Sequence, residues 1–317
     1  MLRLIASWIR LAVDRARNVP PSRRGRWWGA RRQAGVFQGA DILVRSHGSN
    51  ETRGRVGFGI CCLNINQVRF IFTGKASHQR ASWFGRNALT AAVRFYNSVD
   101  GLRATFRPEA SIQGVIPEGG VAPNVVPDRA VVDYYIRYPD EVYLAHMQEM
   151  IDNAARGAAL ATGTEVEIDL YGRLRDGITT GSLEELTYSL AESLGAPHLN
   201  PELQRPAGYE ETGFVSRDIP GVGVSVFSSP APSHSYPRFE DSLKPVGHTG
   251  FLLDAKIMAG VLYHFLVDEE FRQNVREEHG VLSGLFDRYI QNLQQAYSAE
   301  TSASDGNDTG HNGERVP

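Results

Sequence analysis

Gly74-Lys75-Ala76-Ser77-His78, Trp83-Phe84-Gly85-Arg86-Asn87-Ala88-Leu89, Glu118-Gly119-Gly120-Val121-Ala122-Pro123-Asn124-Val125-Val126-Pro127-Asp128 and Asp133-Tyr134-Tyr135-Ile136-Arg137 follow one another in residues 74–137. A His, two Asn and an Arg stand here at the ends of apolar strands or in Gly/Pro-rich turns. A rigid scaffold presents its binding groups at such places. Taken singly, each of these residues is also compatible with ordinary turn chemistry.

The flanking periodicity supplies the scaffold. Gln67 to Thr73, Gln-Val-Arg-Phe-Ile-Phe-Thr, alternates as a β-strand does. Gly85 to Val99 carries Ala88, Leu89, Ala92, Val93, Phe95 and Tyr96 at helical spacing. Ser111 to Pro117 and Ala130 to Tyr138 read as strands, the second rich in Val, Tyr and Ile. Val142 to Ala161 is an amphipathic helix, and Thr164 to Leu170 a last strand. The order β-α-β-β-α-β predicts an α+β unit, a four-stranded antiparallel sheet with two helices on one face.

These motifs, in this order, closely resemble the dimerisation (lid) domain of the M20 family of zinc-dependent peptidases and amidohydrolases. The branch with the greatest likeness contains peptidase M20 domain-containing protein 2 and the aminobenzoyl-glutamate hydrolases. The resemblance extends from about Gly35 to about Phe265 and is strongest from Phe70 to Thr164. It implies a lid at residues 66–171 inserted into an α/β zinc-peptidase-like domain. Residues 36–65 and 172–297 would be the pieces of that domain, which is expected to be incomplete. It also implies a homodimer formed through residues 66–171.

Composition agrees with a folded chain. The 317 residues are 42% hydrophobic and 22% charged, in the globular range. No apolar run is read as long enough to span a bilayer, so no membrane partner is expected. The only cysteines, Cys61 and Cys62, are adjacent, a poor disulfide framework. They read as small buried hydrophobes. The net charge of −3 is uneven: residues 1–35 hold nine Arg and one Asp, +8, leaving −11 for the rest. The acidic remainder argues against a nucleic-acid surface.

Beyond Tyr171 the pattern changes. Ser182 to Leu194 reads as a helix with Ser182 as N-cap and Glu184 and Glu185 in its first turn. Val222 to Phe227 is a short strand, and Pro245 to Val267 a long apolar helix. Glu269 to Tyr297 is charged and amphipathic, again a helix. Residues 298–317 are Ser, Thr, Asp, Gly, Asn and Glu with little to bury, and disorder is expected there.

The N-terminal 35 residues are atypical. In relatives, the resemblance implies, a His-containing ligand motif, a bridging ligand and a Glu-Glu pair precede the equivalent of Gly35. One Glu of that pair is the general base. Residues 1–65 contain no His-x-Asp, no Gly-His-x-Gly-His and no Glu-Glu, and the first Glu is Glu51. Leu2, Ile5, Ile9 and Ala12 instead fall on one helical face among arginines, as in a mitochondrial transit segment. The alternative is a change of reading frame near Arg26-Trp27-Trp28-Gly29. With no secretory signal or disulfide framework, the default address is the cytoplasm.

The resemblance assigns roles residue by residue. His47, ending the apolar run Ala40 to His47, and His234, in Pro-Ser-His-Ser-Tyr-Pro-Arg-Phe, match metal-binding His positions. Neutral imidazole suits zinc. His248, in Gly247-His248-Thr249, is the second choice as a ligand. His78 would polarise the scissile carbonyl and stabilise the oxyanion. Asn124 and Arg137 would hold the carboxylate of a small substrate, a dipeptide or N-acyl amino acid, and Arg binds carboxylate bidentately. Asn87 reads as a helix cap. Glu211-Thr212-Gly213-Phe214-Val215-Ser216 departs from the family's Asp- and Asn-containing motif. With so few ligands and no matching base, zinc is expected to bind weakly and amide hydrolysis to be impaired. The alternative is a non-catalytic dimerising or binding module.

Overall fold

The computed structural model describes residues 37, 39–53, 62–202 and 213–306 of the chain. The Arg-rich residues 1–35, Cys61, Glu211, Thr212 and residues 307–317 lie outside the described residues. The strands are β1 (Leu43–Ser49), β2 (Asn64–Thr73), β3 (Ser77–His78), β4 (Ser111–Glu118), β5 (Val125–Val126), β6 (Arg129–Tyr138), β7 (Glu165–Leu174) and β8 (Gly221–Phe227). The helices are α1 (Ala88–Leu102), α2 (Glu141–Thr162), α3 (Gly181–Ser193), α4 (Tyr236–Ser242), α5 (Pro245–Val267) and α6 (Glu269–Gly306). Two compact units result. One includes Ile65–Ile136 and Met150–Leu174; the other includes Gly39–Asn64, Arg137–Glu149 and the chain from Arg175 on.

In the first unit the sheet order is β4-β6-β2-β7, with β2 and β7 antiparallel. Alternation along β2 buries Val68, Phe70 and Phe72 completely. From α1, Phe95 enters the same core, its ring centroid 4.5 Å from Phe70 and 5.7 Å from both Phe72 and Tyr134. Helix α1 begins at Ala88, three residues later than its periodicity predicts. Gly85 and Arg86 are engaged elsewhere: Lys75 and Arg86 exchange backbone hydrogen bonds at 2.8 and 2.9 Å. Asn87 caps the helix, its Oδ1 accepting from Thr90 N at 3.1 Å.

In the second unit β1 and β8 pair in parallel, from Leu43↔Gly221 to Ser49↔Phe227. Helix α5 lays Leu253, Ile257, Val261 and Phe265 into the core beside Val222, Val224 and Val226. Its 23 residues reach a mean hydropathy of 1.5, long and apolar enough by length and composition to cross a membrane. That corrects the reading that no run is so long. The buried stripe at i, i+4 spacing against β8 is that of a core helix.

Helix α3 starts at Gly181, and its N-terminus is closed from a distance. Glu278 of α6 accepts from Gly181 N at 2.7 Å, Ser182 N at 3.0 Å and Ser182 Oγ at 2.6 Å. Ser182 is therefore a donor to the capping carboxylate, and Thr180, at the N-cap, makes no side-chain cap bond. A carboxylate satisfies two orphan amides and meets the positive helix end. Helix α6 continues to Gly306, nine residues past Tyr297 and into the segment read as disordered. Once nucleated, each added residue contributes a hydrogen bond without needing a core. Cys62 is buried, at 2% exposure, and disulfide-bonded, which corrects the reading of a free apolar thiol.

Candidate functional site

In the first unit, His78 and Asn124 are brought together. Strands β3 and β5 pair antiparallel, Ser77 with Val126 and His78 with Val125. Next to this ladder Gln79 N donates to Asn124 O at 2.9 Å. His78 Nδ1 accepts from Arg80 N at 3.2 Å, capping a 3-10 turn, Gln79–Phe84. A ring nitrogen that accepts carries no proton, so the neutral imidazole holds its proton on Nε2. His78 is exposed, and Nε2 is therefore presented as a donor. A cleft of about 530 Å³ adjoins, lined by Gln79, Ser82, Asn87, Leu89 and the chain from Gly119 to Pro127. Among the described residues, no charged side chain lines it. Gly120 permits its turn at φ +114°, a conformation open to glycine.

Arg137, half-buried near the end of β6, falls in the range Arg137–Glu149 that belongs to the second unit. His47 and His234 are also in that unit. His47 is exposed on β1, opposite Ser225 of β8. His234 is exposed in the loop that leaves the carboxyl end of β8, at φ +60°. The carboxyl ends of parallel strands are where open α/β sheets bind ligands. His248 is exposed in the first turn of α5. Both His47 and His234 offer imidazoles that suit zinc. Among the described residues, however, no group of three or more His, Cys, Asp or Glu could hold a metal ion. A hydrolytic zinc centre takes three protein ligands and a water, so the fit extends to two donors and stops.

Further groups near these segments escape sequence reasoning. Asp254, the one acid inside α5, is buried, and burial raises its carboxyl above the usual carboxylate range against a hydrogen bond from Ser46. A lone carboxylate in an apolar helix is the signal that could have found it. The stretch that departs from the family motif contains a buried 3-10 turn, Gly213–Arg217. It is held by His279, whose Nε2 lies 2.8 Å from Ser216 O. Arg217 Nε donates to Asp176 O at 2.9 Å, and its Nη2 pairs with the Asp176 carboxylate.

Comparison with known proteins gives a consistent picture. Residues 59–162 match the peptidase dimerisation domain, M20_dimer. The chain is 29% identical over 255 residues to the Xaa-Arg dipeptidase of Homo sapiens, covering 78% of this chain and 57% of that one. It is 24% identical over 271 residues to a p-aminobenzoyl-glutamate hydrolase of Escherichia coli (strain K12), 67% of this chain and 56% of that one. The chain thus spans little more than half the length of these curated relatives. Among solved structures, a putative aminohydrolase from methicillin resistant Staphylococcus aureus superposes at a TM-score of 0.54 and 14% identity. It covers 74% of this chain and 62% of that one. An amidase of the hydantoinase/carbamoylase family from Burkholderia vietnamiensis superposes at 0.53 and 16%, covering 70% and 55%. At these identities the structures bear on the fold alone.

Proposed function

Taking this chain as the M20-family peptidase or amidohydrolase relative that these matches make it, we propose that it takes part in amide-bond hydrolysis of small, carboxylate-bearing substrates. Dipeptides and N-acyl amino acids are the substrate class. The observation that carries this reading is the His78 imidazole, with Nδ1 occupied by Arg80 N and Nε2 left to donate. A donor fixed by a backbone bond costs no reorganisation when it meets developing negative charge on a carbonyl oxygen. Asn124, tied to the same ladder through Gln79, and Arg137 are the carboxylate-binding groups. The uncharged cleft beside Gln79 and Ser82 accommodates a neutral part of the substrate.

His47 and His234 are the residues that would hold zinc. When bound, zinc supplies Lewis acidity and an acidified water. With two candidate donors rather than three, affinity is low and turnover slow. On a panel of dipeptides and N-acyl amino acids with added zinc, whatever turnover is seen should fall about 10²-fold in His78→Ala. Equal rates for the two proteins would end this assignment.

The shortfall in donors favours a second reading, a dimerising or binding module without catalysis. It predicts ligand binding with no zinc-dependent turnover at all. Both readings include a homodimer formed through residues 66–171. Strand β4 lies at the edge of its sheet with Val115 62% exposed, and Val93 of α1 is exposed as well. Sedimentation is expected to give a two-fold dimer at micromolar concentration. Val115→Lys, a charge on an edge strand, should weaken it at least about tenfold, ~1.4 kcal/mol. A monomer in both cases would refute the interface.

A further inference from the structure

We propose that Arg238 is the positioning residue that sets the His234 loop against the end of β1, and so fixes how His47 and His234 are presented to one another. The proposal rests on reading those two imidazoles as a donor pair. Its carrier is one guanidinium. Nη2 of Arg238 donates to Gly48 O at 2.6 Å. Nη1 donates to Ala231 O at 3.2 Å and lies 3.4 Å from Ser233 Oγ. Gly48 directly follows His47, and Ser233 directly precedes His234. A single planar group therefore bonds the backbone next to one imidazole and the loop next to the other.

The loop is closed at both ends by other bonds. Ser228 N donates to Ser49 O at 2.8 Å. Ser229 Oγ donates to Asp241 Oδ2 at 2.7 Å and accepts from Ala231 N at 3.0 Å. Ser235 Oγ donates to Pro232 O at 2.8 Å. None of these reaches from the His234 side to Gly48; Arg238 does. His234 stands at φ +60°, a left-handed conformation that costs a residue with a Cβ roughly 1–3 kcal/mol. Such strain persists only where the surroundings over-determine it. Arg238 supplies that restraint from four residues along the chain. The β1 side is equally fixed, because a Cβ on Gly48 would meet Ser228 Oγ at 2.7 Å.

Arginine is the residue type that does this. Its fork addresses separate acceptors in one plane, whereas the ammonium of lysine is a point charge on a flexible stem. Charge-assisted bonds are also about twice as strong as neutral ones.

The experiment titrates zinc chloride into the full chain by calorimetry for the wild type, His47→Asn, His234→Asn, Arg238→Met and Arg238→Lys. Amide exchange at Ala231 to His234 and the thermal midpoint are read in parallel. The wild type should bind zinc more tightly than either single-His variant. Arg238→Met should lose about tenfold in affinity and exchange those amides faster, with its midpoint little changed. Arg238→Lys should recover part of both. If the His variants bind as the wild type does, the donor-pair reading is wrong. If they weaken while Arg238→Met keeps wild-type affinity and protection, only the Arg238 assignment is wrong. Should Arg238→Met fail to fold, Arg238→Lys decides by the same readouts: loss in both supports the assignment, and wild-type values overturn it.

Discussion

Replacing Phe95 by alanine should destabilise the unit built on β4, β6, β2 and β7 by about 3–5 kcal/mol. Phe95 is fully buried and is where α1 meets the middle of the sheet. Its ring contacts Phe70 and Phe72 of β2 and meets Tyr134 of β6 edge-on, at 82°. Truncation would remove the apolar area of one ring and leave a cavity walled by three others. Those rings are anchored on the two central strands and cannot close the space, so the cavity cost adds to the transfer cost. Aromatic pairing contributes a further ~0.5–1.5 kcal/mol. Chemical denaturation, followed by a probe in this unit, should give a lower midpoint with an unchanged slope. A loss under about 1 kcal/mol would mean that the ring does not occupy the core as described.

The second large effect belongs to Arg217. Asp176 is completely buried, and burial, the dominant influence, raises its carboxyl above the usual carboxylate range, while Arg217 and Asn64 oppose that rise. Arg217 makes both the ion pair and a 2.9 Å bond to Asp176 O. It also stacks its guanidinium 4.7 Å from the Phe286 ring. Arg217→Met would keep the stem and remove the charge, stranding a carboxylate in the interior. Removing one partner of a buried pair costs about 3–5 kcal/mol.

The loss should depend on pH. A carboxyl whose folded value lies above its unfolded value binds more protons in the native state. Its stability contribution therefore falls as pH rises from the unfolded value through the folded one. Without Arg217 the folded value rises further. The variant should be weakest near neutral pH and regain stability toward the acid side. Thermal melts of both proteins from pH 4 to pH 8 test this; parallel curves would show that the pair is not what holds Asp176.

Much of the scaffold is legible in local pattern. The alternation of Val68, Phe70 and Phe72 marks β2, and Pro245 followed by an apolar 23-residue run marks both ends of α5. Asn87 is recognisable as a cap because its bond reaches only to Thr90, three residues away. The same local logic misplaces the start of α1. Gly85 and Arg86 fit a helix by sequence, but the Lys75 backbone claims Arg86.

The candidate site divides along the same line. His47, His78, Asn124, Arg137 and His234 are recognisable from short motifs, because the type of each residue and its place at a strand end or turn are local. What holds them is not local. Glu278 lies 97 residues from the helix end it caps, Arg217 is 41 from Asp176, and Arg238 is 190 from Gly48. By itself the sequence determined which segments are strands and helices and which residues could do chemistry, since periodicity and turn preference act over a few positions. Only the tertiary structure decided which charges are buried together, which carboxylate closes α3 and which guanidinium holds the His234 loop. Those choices follow from chain segments far apart in sequence meeting where water is excluded and every polar group needs a partner.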